Sequence, residues 1–405
     1  MIAVKLRIAM LSVHSCPIGD LGARDTGGMS VYVRELAREL GKQGLAVDIY
    51  TRVHQPGHSQ IFELGQQARL IHLGAGEGGK IDKLAVYPHL PDFARNLEDF
   101  RRRNNINYDL VFSHYWLSGW VGRYLERRWR VPHIIVFHTL GAVKNAIGVG
   151  EQEPALRLQT EAQLAQDCHG IIATTQREKD DLIRHYGAAA RQIRVIPCGV
   201  NLGLFRPMNR EMVRRELGFN GDHDLLFVGR IEPLKGIGRL LEALRYLQNG
   251  HRIKLWVIGG DKNSRDEVGR LRKLSQALGI TDLVKFVGRV EHEKMPYFYN
   301  AAAACIIPSY YESFSLVALE ALACGTPVVA SNVGGISGFI HQGETGYIVK
   351  NDNPHHLADQ IALLLSRLAA KPALSIRESV SRFSWSNMAE QVSREVLADY
   401  LAGVN

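Results

Sequence analysis

Four features are scarce in this chain of 405 residues, and each scarcity closes off a class of protein. No apolar run approaches the roughly 18 residues that a membrane-spanning helix needs, so no segment is read as a transmembrane span. Aromatic residues are only 8%, and the excess charge of +8 is spread out apart from Arg101-Arg102-Arg103 and Arg127-Arg128. A nucleic-acid partner is therefore not expected, because such a binder shows a basic face with interleaved aromatics. Phosphorylated small molecules or an acidic surface suit the excess better. Cysteine is scarce and unpaired: Cys16, Cys168, Cys198, Cys305 and Cys324 are odd in number and form no Cys-x2-Cys pair. They read as small buried residues of a reducing compartment, and a cytoplasmic location is expected. The apolar opening stretch is broken by Lys5 and Arg7, so it reads as a strand and not as a secretion signal. Metal and triphosphate signatures are the fourth scarcity. Gly74 to Lys80 fits Gly-x4-Gly-Lys, but Ile81 and Asp82 stand where a P-loop needs Ser or Thr for magnesium. A loop carrying Lys80 and Lys83 into a crevice is the better reading.

What the chain does have is glycine, 39 residues of it, a hydrophobic content of 46%, and strand and helix patterns that alternate without long gaps. That alternation predicts parallel, doubly wound sheets, and the length predicts two domains. Strands are expected at 4–14, 45–51, 110–114, 133–138, 170–174 and 193–197, with more strand within 61–73 and helices over 92–103 and 116–130. Cys198-Gly-Val-Asn-Leu-Gly-Leu-Phe-Arg-Pro207 breaks the pattern and reads as a link. A second doubly wound unit restarts at Asp224, with strands expected at 224–230, 255–258, 284–287, 305–307 and 328–330. The expected division is 1–198 and 199–385, with a last helix in 386–405 crossing back to the first unit.

The second unit is organised around Glu312-Ser-Phe-Ser-Leu-Val-Ala-Leu-Glu320. A helix starting near Ser315 would put Glu312 in the loop before its N-terminus and Glu320 inside it, so that both look into one crevice at the carboxyl end of a strand. Solvated surface charge is the plainer account of the two glutamates on spacing alone. Arg230 ends a strand and Lys235 is expected to open a helix, five residues on. Two cations at a helix N-terminus oppose its dipole unless an anion such as a diphosphate lies between them. In the first unit Gly27-Gly28 before a helix is a weak anion-site signal. His14, His114 and His138 each end a strand. They could be zinc ligands, but with no His-x3-His or carboxylate signature they read better as polar groups for a sugar ring.

Asp-x-Gly-Gly at Asp25 to Gly28, Arg-x4-Lys at Arg230 to Lys235 and Glu-x7-Glu at Glu312 to Glu320 together resemble the retaining GT-B glycosyltransferases of family four. Within that family Gly-Gly-Met-Ser-Val-Tyr-Val, Ser-His-Tyr-Trp-Leu-Ser-Gly and His-Thr-Leu-Gly-Ala-Val-Lys-Asn are most similar to the inositol-phosphate N-acetylglucosaminyltransferases of mycothiol synthesis, with sucrose-phosphate synthases next. The resemblance implies an α/β GT-B fold, two Rossmann-like domains facing across a cleft. It also implies transfer of a hexosyl group, with retention, from a nucleotide sugar, UDP-GlcNAc or UDP-glucose, to a hydroxyl of a small phosphorylated acceptor. It places Glu312 on the donor sugar, Glu320 on the ribose, Val290 on the base and His138 near the sugar, with Arg230, Lys235, Gly27 and Gly28 at the diphosphate. Lys83, Tyr115, Thr139 and Arg157 match the residues that hold the acceptor phosphate. Asp25, Ser30 and Lys144 join them on that side, Ser30 standing where the mycothiol enzymes usually have Asn. No cofactor is expected for catalysis, although a structural magnesium is implied at Tyr299, Asn300, Ala302 and Thr326. A homodimer is compatible with the resemblance. The alternatives are another family-four acceptor, a non-catalytic sugar-nucleotide sensor on the same fold, and a metal-dependent or P-loop hydrolase.

Overall fold

The computed structural model describes residues 6–19, 26–54, 59–76, 79, 81–247, 252–261, 264–367 and 371–398. Eight strands build the first sheet: β1 (Arg7–Leu11), β2 (Ala46–Arg52), β3 (Ile61–Gly65), β4 (Ala68–Leu73), β5 (Leu110–His114), β6 (His133–Val136), β7 (Gly170–Ala173) and β8 (Ile193–Val195). Their order is β3-β4-β2-β1-β5-β6-β7-β8, and all pairs are parallel except the hairpin β3–β4. Six more build the second: β9 (His223–Val228), β10 (Ile253–Ile258), β11 (Val284–Gly288), β12 (Ala304–Ile307), β13 (Val328–Ser331) and β14 (Gly346–Val349). Their order is β11-β10-β9-β12-β13-β14, all parallel.

The strands of the sheet centres are short and apolar on both faces because helices cover both sides. Residues such as Ile8, Met10, Ile134, Leu225, Ile306 and Val329 are fully buried. Strand order steps outward from β1 in both directions, so a crevice opens at the carboxyl ends where the order reverses. β14 was not expected from the sequence. Its Gly346-Tyr-Ile-Val follows a turn at Gly343 and has the β-branched, aromatic composition of an edge strand.

Two segments connect the halves. Val200 N donates to Phe383 O at 2.8 Å, and Val200 bridges Ser384. A Cβ at Gly199 would lie 2.5 Å from the Trp385 backbone nitrogen, so glycine is what permits this crossing. The helix Trp385–Val392 then packs against the helix Gly28–Lys42, with Trp385 edge-on to Tyr32 at 5.9 Å. Past it the chain continues as a π-helical turn, Ser393–Leu397, and the Ser393 hydroxyl reaches Gln43 at 2.5 Å. The last helix, expected within 386–405, therefore runs as α-helix from Trp385 to Val392 and turns π-helical over Ser393–Leu397, and its end lies outside the described residues.

Candidate functional site

A cavity of about 360 Å³ lies between the two sheets, at the carboxyl ends of their strands. On the second sheet's wall, the loop after β12 carries Glu312, and the helix Leu316–Ala323 begins just past Ser315. Glu312 Oε1 accepts from Lys235 Nζ at 2.7 Å and from Ser309 Oγ at 2.8 Å. Lys235 does not open a helix, as the spacing suggested; it closes a 3-10 turn, Pro233–Lys235, and the helix proper starts at Ile237. Gly236 separates the two at φ 68°, and a Cβ there would lie 1.9 Å from Pro308 O. That close approach presses the turn against the loop and delivers Lys235 to Glu312.

Deeper in the wall, Glu320 is buried, with Oε1 3.0 Å from His292 Nε2 and Oε2 accepting from Tyr299 OH at 2.8 Å. Burial by itself would lower the His292 pKa, but the Glu320 carboxylate more than offsets it and raises it. Arg230 is half-exposed and pairs with Glu232 at 2.9 Å, and Val290 lines the same wall.

The first sheet's wall holds Gly27 and Gly28 at the start of their helix, Lys83 on the turn Lys83–His89, and Tyr115 at the start of the helix Tyr115–Trp129. His138 and Thr139 follow β6, Lys144 sits on the helix Gly141–Ile147, and Arg157 on the helix Ala155–Asp167. Arg157 is 1% exposed. Its Nε donates to Glu161 Oε1 at 2.7 Å and its Nη2 to the Thr139 carbonyl and hydroxyl at 2.9 and 3.0 Å, and its guanidinium stacks on Tyr115 at 4.8 Å. Glu153 joins this group, within 2.9 Å of Arg157 Nη1 and 3.5 Å of Lys83 Nζ and hydrogen-bonded to Lys144.

Three histidines meet here without forming a ligand set. His114 Nδ1 and His138 Nε2 are 3.0 Å apart. Burial lowers all three, with His14 and His138 pushed down to about 3 and Lys83 adding to the effect on His14, so they are neutral at physiological pH. Tyr115, His138 and Ser315 all line the cavity with φ of 76°, 62° and 81°. Such conformations are costly for non-glycine residues and persist where surrounding packing enforces them, often at functional sites.

The cavity thus gathers Gly27, Gly28, Lys83, Tyr115, His138, Thr139, Lys144, Arg157, Arg230, Lys235, Val290, Glu312 and Glu320. Ser30 is fully buried beneath it, its hydroxyl 2.7 Å from that of Ser15, and Asp25 lies outside the described residues. At the positions implied for magnesium, several polar groups already have protein partners. The Tyr299 carbonyl already accepts from Thr326 Oγ1 at 2.6 Å and Ala302 N at 3.2 Å, and Asn300 is engaged at both ends, to Met208 N and to Arg206 O and Pro296 O. The four positions include no carboxylate, which magnesium sites usually supply. Glu153, His292 and Tyr311, whose hydroxyl accepts from Leu140 N at 3.2 Å across the cleft, were not singled out from sequence. Only Glu153 left a trace there, in the i, i+4 series Glu153, Arg157, Glu161.

Two doubly wound sheets facing across a cleft at their strand ends are the architecture of the GT-B glycosyltransferases, enzymes that take a sugar from a nucleotide donor. The profile described as Glycosyltransferase Family 4 matches residues 26–204, and Glycosyl transferases group 1 matches 209–375. The chain is 37% identical to the D-inositol 3-phosphate glycosyltransferase of Nocardiopsis dassonvillei over 96% of this chain and 94% of that one. It is 40% identical to the protein of the same name from Geodermatophilus obscurus, over 96% and 89%. Among solved structures it is similar to a sucrose-phosphate synthase from Thermosynechococcus elongatus, with TM-score 0.90, 34% identity and coverage of 99% and 100%. Anabaena HepE in complex with UDP and glucose shares the fold at TM-score 0.75 and 19% identity, over 97% and 100%. The chain belongs to the GT-B glycosyltransferases of family four. Among the described residues no helix is long and apolar enough to cross a membrane.

Proposed function

We propose that this enzyme transfers a hexosyl group from a UDP-sugar, UDP-GlcNAc or UDP-glucose, to a hydroxyl of a small phosphorylated acceptor such as inositol phosphate, with retention at the anomeric carbon. The observation that carries the reading is the convergence of Lys83, Lys144 and Arg157 on one wall of the cavity that has Lys235, Glu312 and Glu320 on the other. These three cations with the Tyr115 and Thr139 hydroxyls make a donor set for a phosphate rather than for a neutral sugar. The names of both kinds of relative carry a phosphate as well, D-inositol 3-phosphate and sucrose-phosphate.

In this reading the bond from the anomeric carbon to the diphosphate oxygen breaks and its electron pair leaves with UDP. The acceptor hydroxyl attacks the same face, and its proton passes to the departing phosphate oxygen. Arg230, Lys235 and the amides at Gly27 and Gly28 stabilise the growing diphosphate charge. A Cβ at Gly27 would meet nothing within 4 Å, which leaves room over the helix end for phosphate. Glu312 meets the donor sugar, Glu320 the ribose, Val290 the base, and neutral His138 the sugar ring. Asp25, Ser30 and Lys144 complete the acceptor side, Ser30 through Ser15.

We divide the chain into an acceptor unit, 1–198, completed by the C-terminal helix, and a donor unit, 199–385. Five buried free cysteines suit a reducing cytoplasm. Incubating the enzyme with UDP-sugars and paired phosphorylated and dephosphorylated acceptors, with products read by mass spectrometry and NMR of the new anomeric centre, tests substrate and stereochemistry together. Release of UDP only with the phosphorylated acceptor supports the reading, and equal use of both overturns it.

A further inference from the structure

Three neighbouring parallel strands, β4, β2 and β1, carry a second cluster of side chains away from the cavity. Cys16 lies in the loop after β1, His54 two residues past β2, and His72 near the end of β4. Strands of one parallel sheet end on the same edge, so the three converge although the sequence sets them 38 and 18 positions apart. Each offers one ligand atom, and these atoms all lie within 4.8 Å of one another. We propose that Cys16, His54 and His72 bind a divalent ion of zinc's chemical class, a site distinct from the sugar-transfer cleft, whose walls include none of the three.

Two further observations support a ligand set over a chance contact. Cys16 Sγ and His72 Nε2 are 3.5 Å apart. Bonds of about 2.3 Å to sulfur and about 2.0–2.1 Å to nitrogen, at a tetrahedral angle, put the two atoms about 3.5–3.6 Å apart. The other sign is the tautomer of His54. Its Nδ1 lies 3.1 Å from the Arg52 carbonyl, which can only accept, so Nδ1 carries the proton and Nε2 keeps its lone pair. An imidazole N–H held by a backbone carbonyl is the usual outer support of a metal-bound histidine. Cys16 and His72 are each 2% exposed, so the sulfur and one nitrogen are shielded, while His54 is half-buried. One thiolate and two neutral imidazoles favour a borderline-soft ion over magnesium or calcium. An ion here ties the ends of β1, β2 and β4 together.

The test is titration of the full-length chain with cobalt(II), a spectroscopic stand-in for zinc. A thiolate-to-cobalt charge-transfer band in the near ultraviolet, abolished by one equivalent of zinc, is expected. Cys16→Ser removes the band, and His54→Gln weakens cobalt binding by about a hundredfold or more, since even outer partners of a ligand are worth about 10–100-fold. Zinc should raise the melting temperature of the unmodified chain and not of His54→Gln. His54 is the most exposed of the three, so this variant decides the matter if Cys16→Ser does not fold. Absence of the band, its persistence in folded Cys16→Ser, or unchanged cobalt affinity in His54→Gln overturns the site and leaves a thiol–imidazole hydrogen bond in its place.

Discussion

The Glu153 carboxylate lies 2.9 Å from Nη1 of Arg157, and the same oxygen also meets Lys83 and Lys144, so one acid serves three cations on the first sheet's wall. Burial alone would raise its pKa, but Arg157 and then the two lysines overcome that and push it down to about 2. Glu153 therefore stays ionised at physiological pH. Any phosphate that reaches these cations competes with it.

Glu153→Gln keeps the shape of the side chain and removes the competing charge. The Michaelis constant for a phosphorylated acceptor should fall by about tenfold, the worth of one charge-assisted hydrogen bond, and inorganic phosphate should become a stronger inhibitor. Thermal stability should drop, because three clustered cations lose their counter-charge. Steady-state kinetics decide the point. A raised Michaelis constant would mean that Glu153 serves the acceptor by holding Arg157 in place.

Lys235→Ala should lower kcat by about ten- to a hundredfold, since a charge-assisted hydrogen bond of roughly 1.5–3 kcal/mol to a developing negative charge is lost. Glu312 loses its 2.7 Å partner in the same variant, so Lys235→Ala should also weaken binding of the intact donor. Single-turnover rates together with UDP-sugar titration separate the two effects. Unchanged turnover would remove Lys235 from the diphosphate clamp.

Glu312 and Glu320 were legible through the resemblance of the whole Glu-x7-Glu string, since spacing alone left surface charge as the plainer account, and the helix starts where the Ser315 reading put it, to within one residue. Arg230 and Lys235 were legible as a pair of cations, but the turn between them was not. Its form depends on Gly236 meeting Pro308 O, which is 72 positions away in the chain. Glu153 and His292 were hidden for a related reason. Each acts through partners from other segments, Lys83 and Lys144 for one and Glu320 for the other, and no local pattern encodes that meeting. The sequence reading placed Arg157 with the acceptor phosphate and did not foresee its other partners. In the fold it is an interior residue locked to Glu161, Thr139 and Glu153.

The His292–Glu320 pair should make stability depend on pH. The folded-state pKa of His292 lies above its ordinary value of 6.5, so the pair's contribution is complete below pH 6.5 and is lost as pH rises through the folded value. His292→Gln should then destabilise the protein more at about pH 6 than at about pH 9. Urea unfolding at the two pH values measures it, and an equal loss at both would show that the imidazole contributes only a neutral hydrogen bond.

The acceptor phosphate is best tested at Lys83 and not at Arg157. Arg157→Ala would strand the buried carboxylates of Glu161 and Glu153, and breaking a buried pair in this way costs about 3–5 kcal/mol, so lost activity would report on folding as much as on binding. Lys83 is 27% exposed at its side chain, stands 3.5 Å from Glu153, and leaves that acid with two other partners when removed. Lys83→Ala should therefore fold normally and raise the Michaelis constant for a phosphorylated acceptor by roughly tenfold, with kcat changed little. The donor constants should stay nearly intact, because Lys235, Glu312 and Glu320 belong to the opposite wall. The dephosphorylated acceptor supplies the control: with it, the variant and the unmodified enzyme should perform alike, since neither has a phosphate for Lys83 to hold. A variant that loses activity equally with both acceptors would place Lys83 elsewhere in the reaction, and one that binds UDP-sugar more weakly would assign it to the donor.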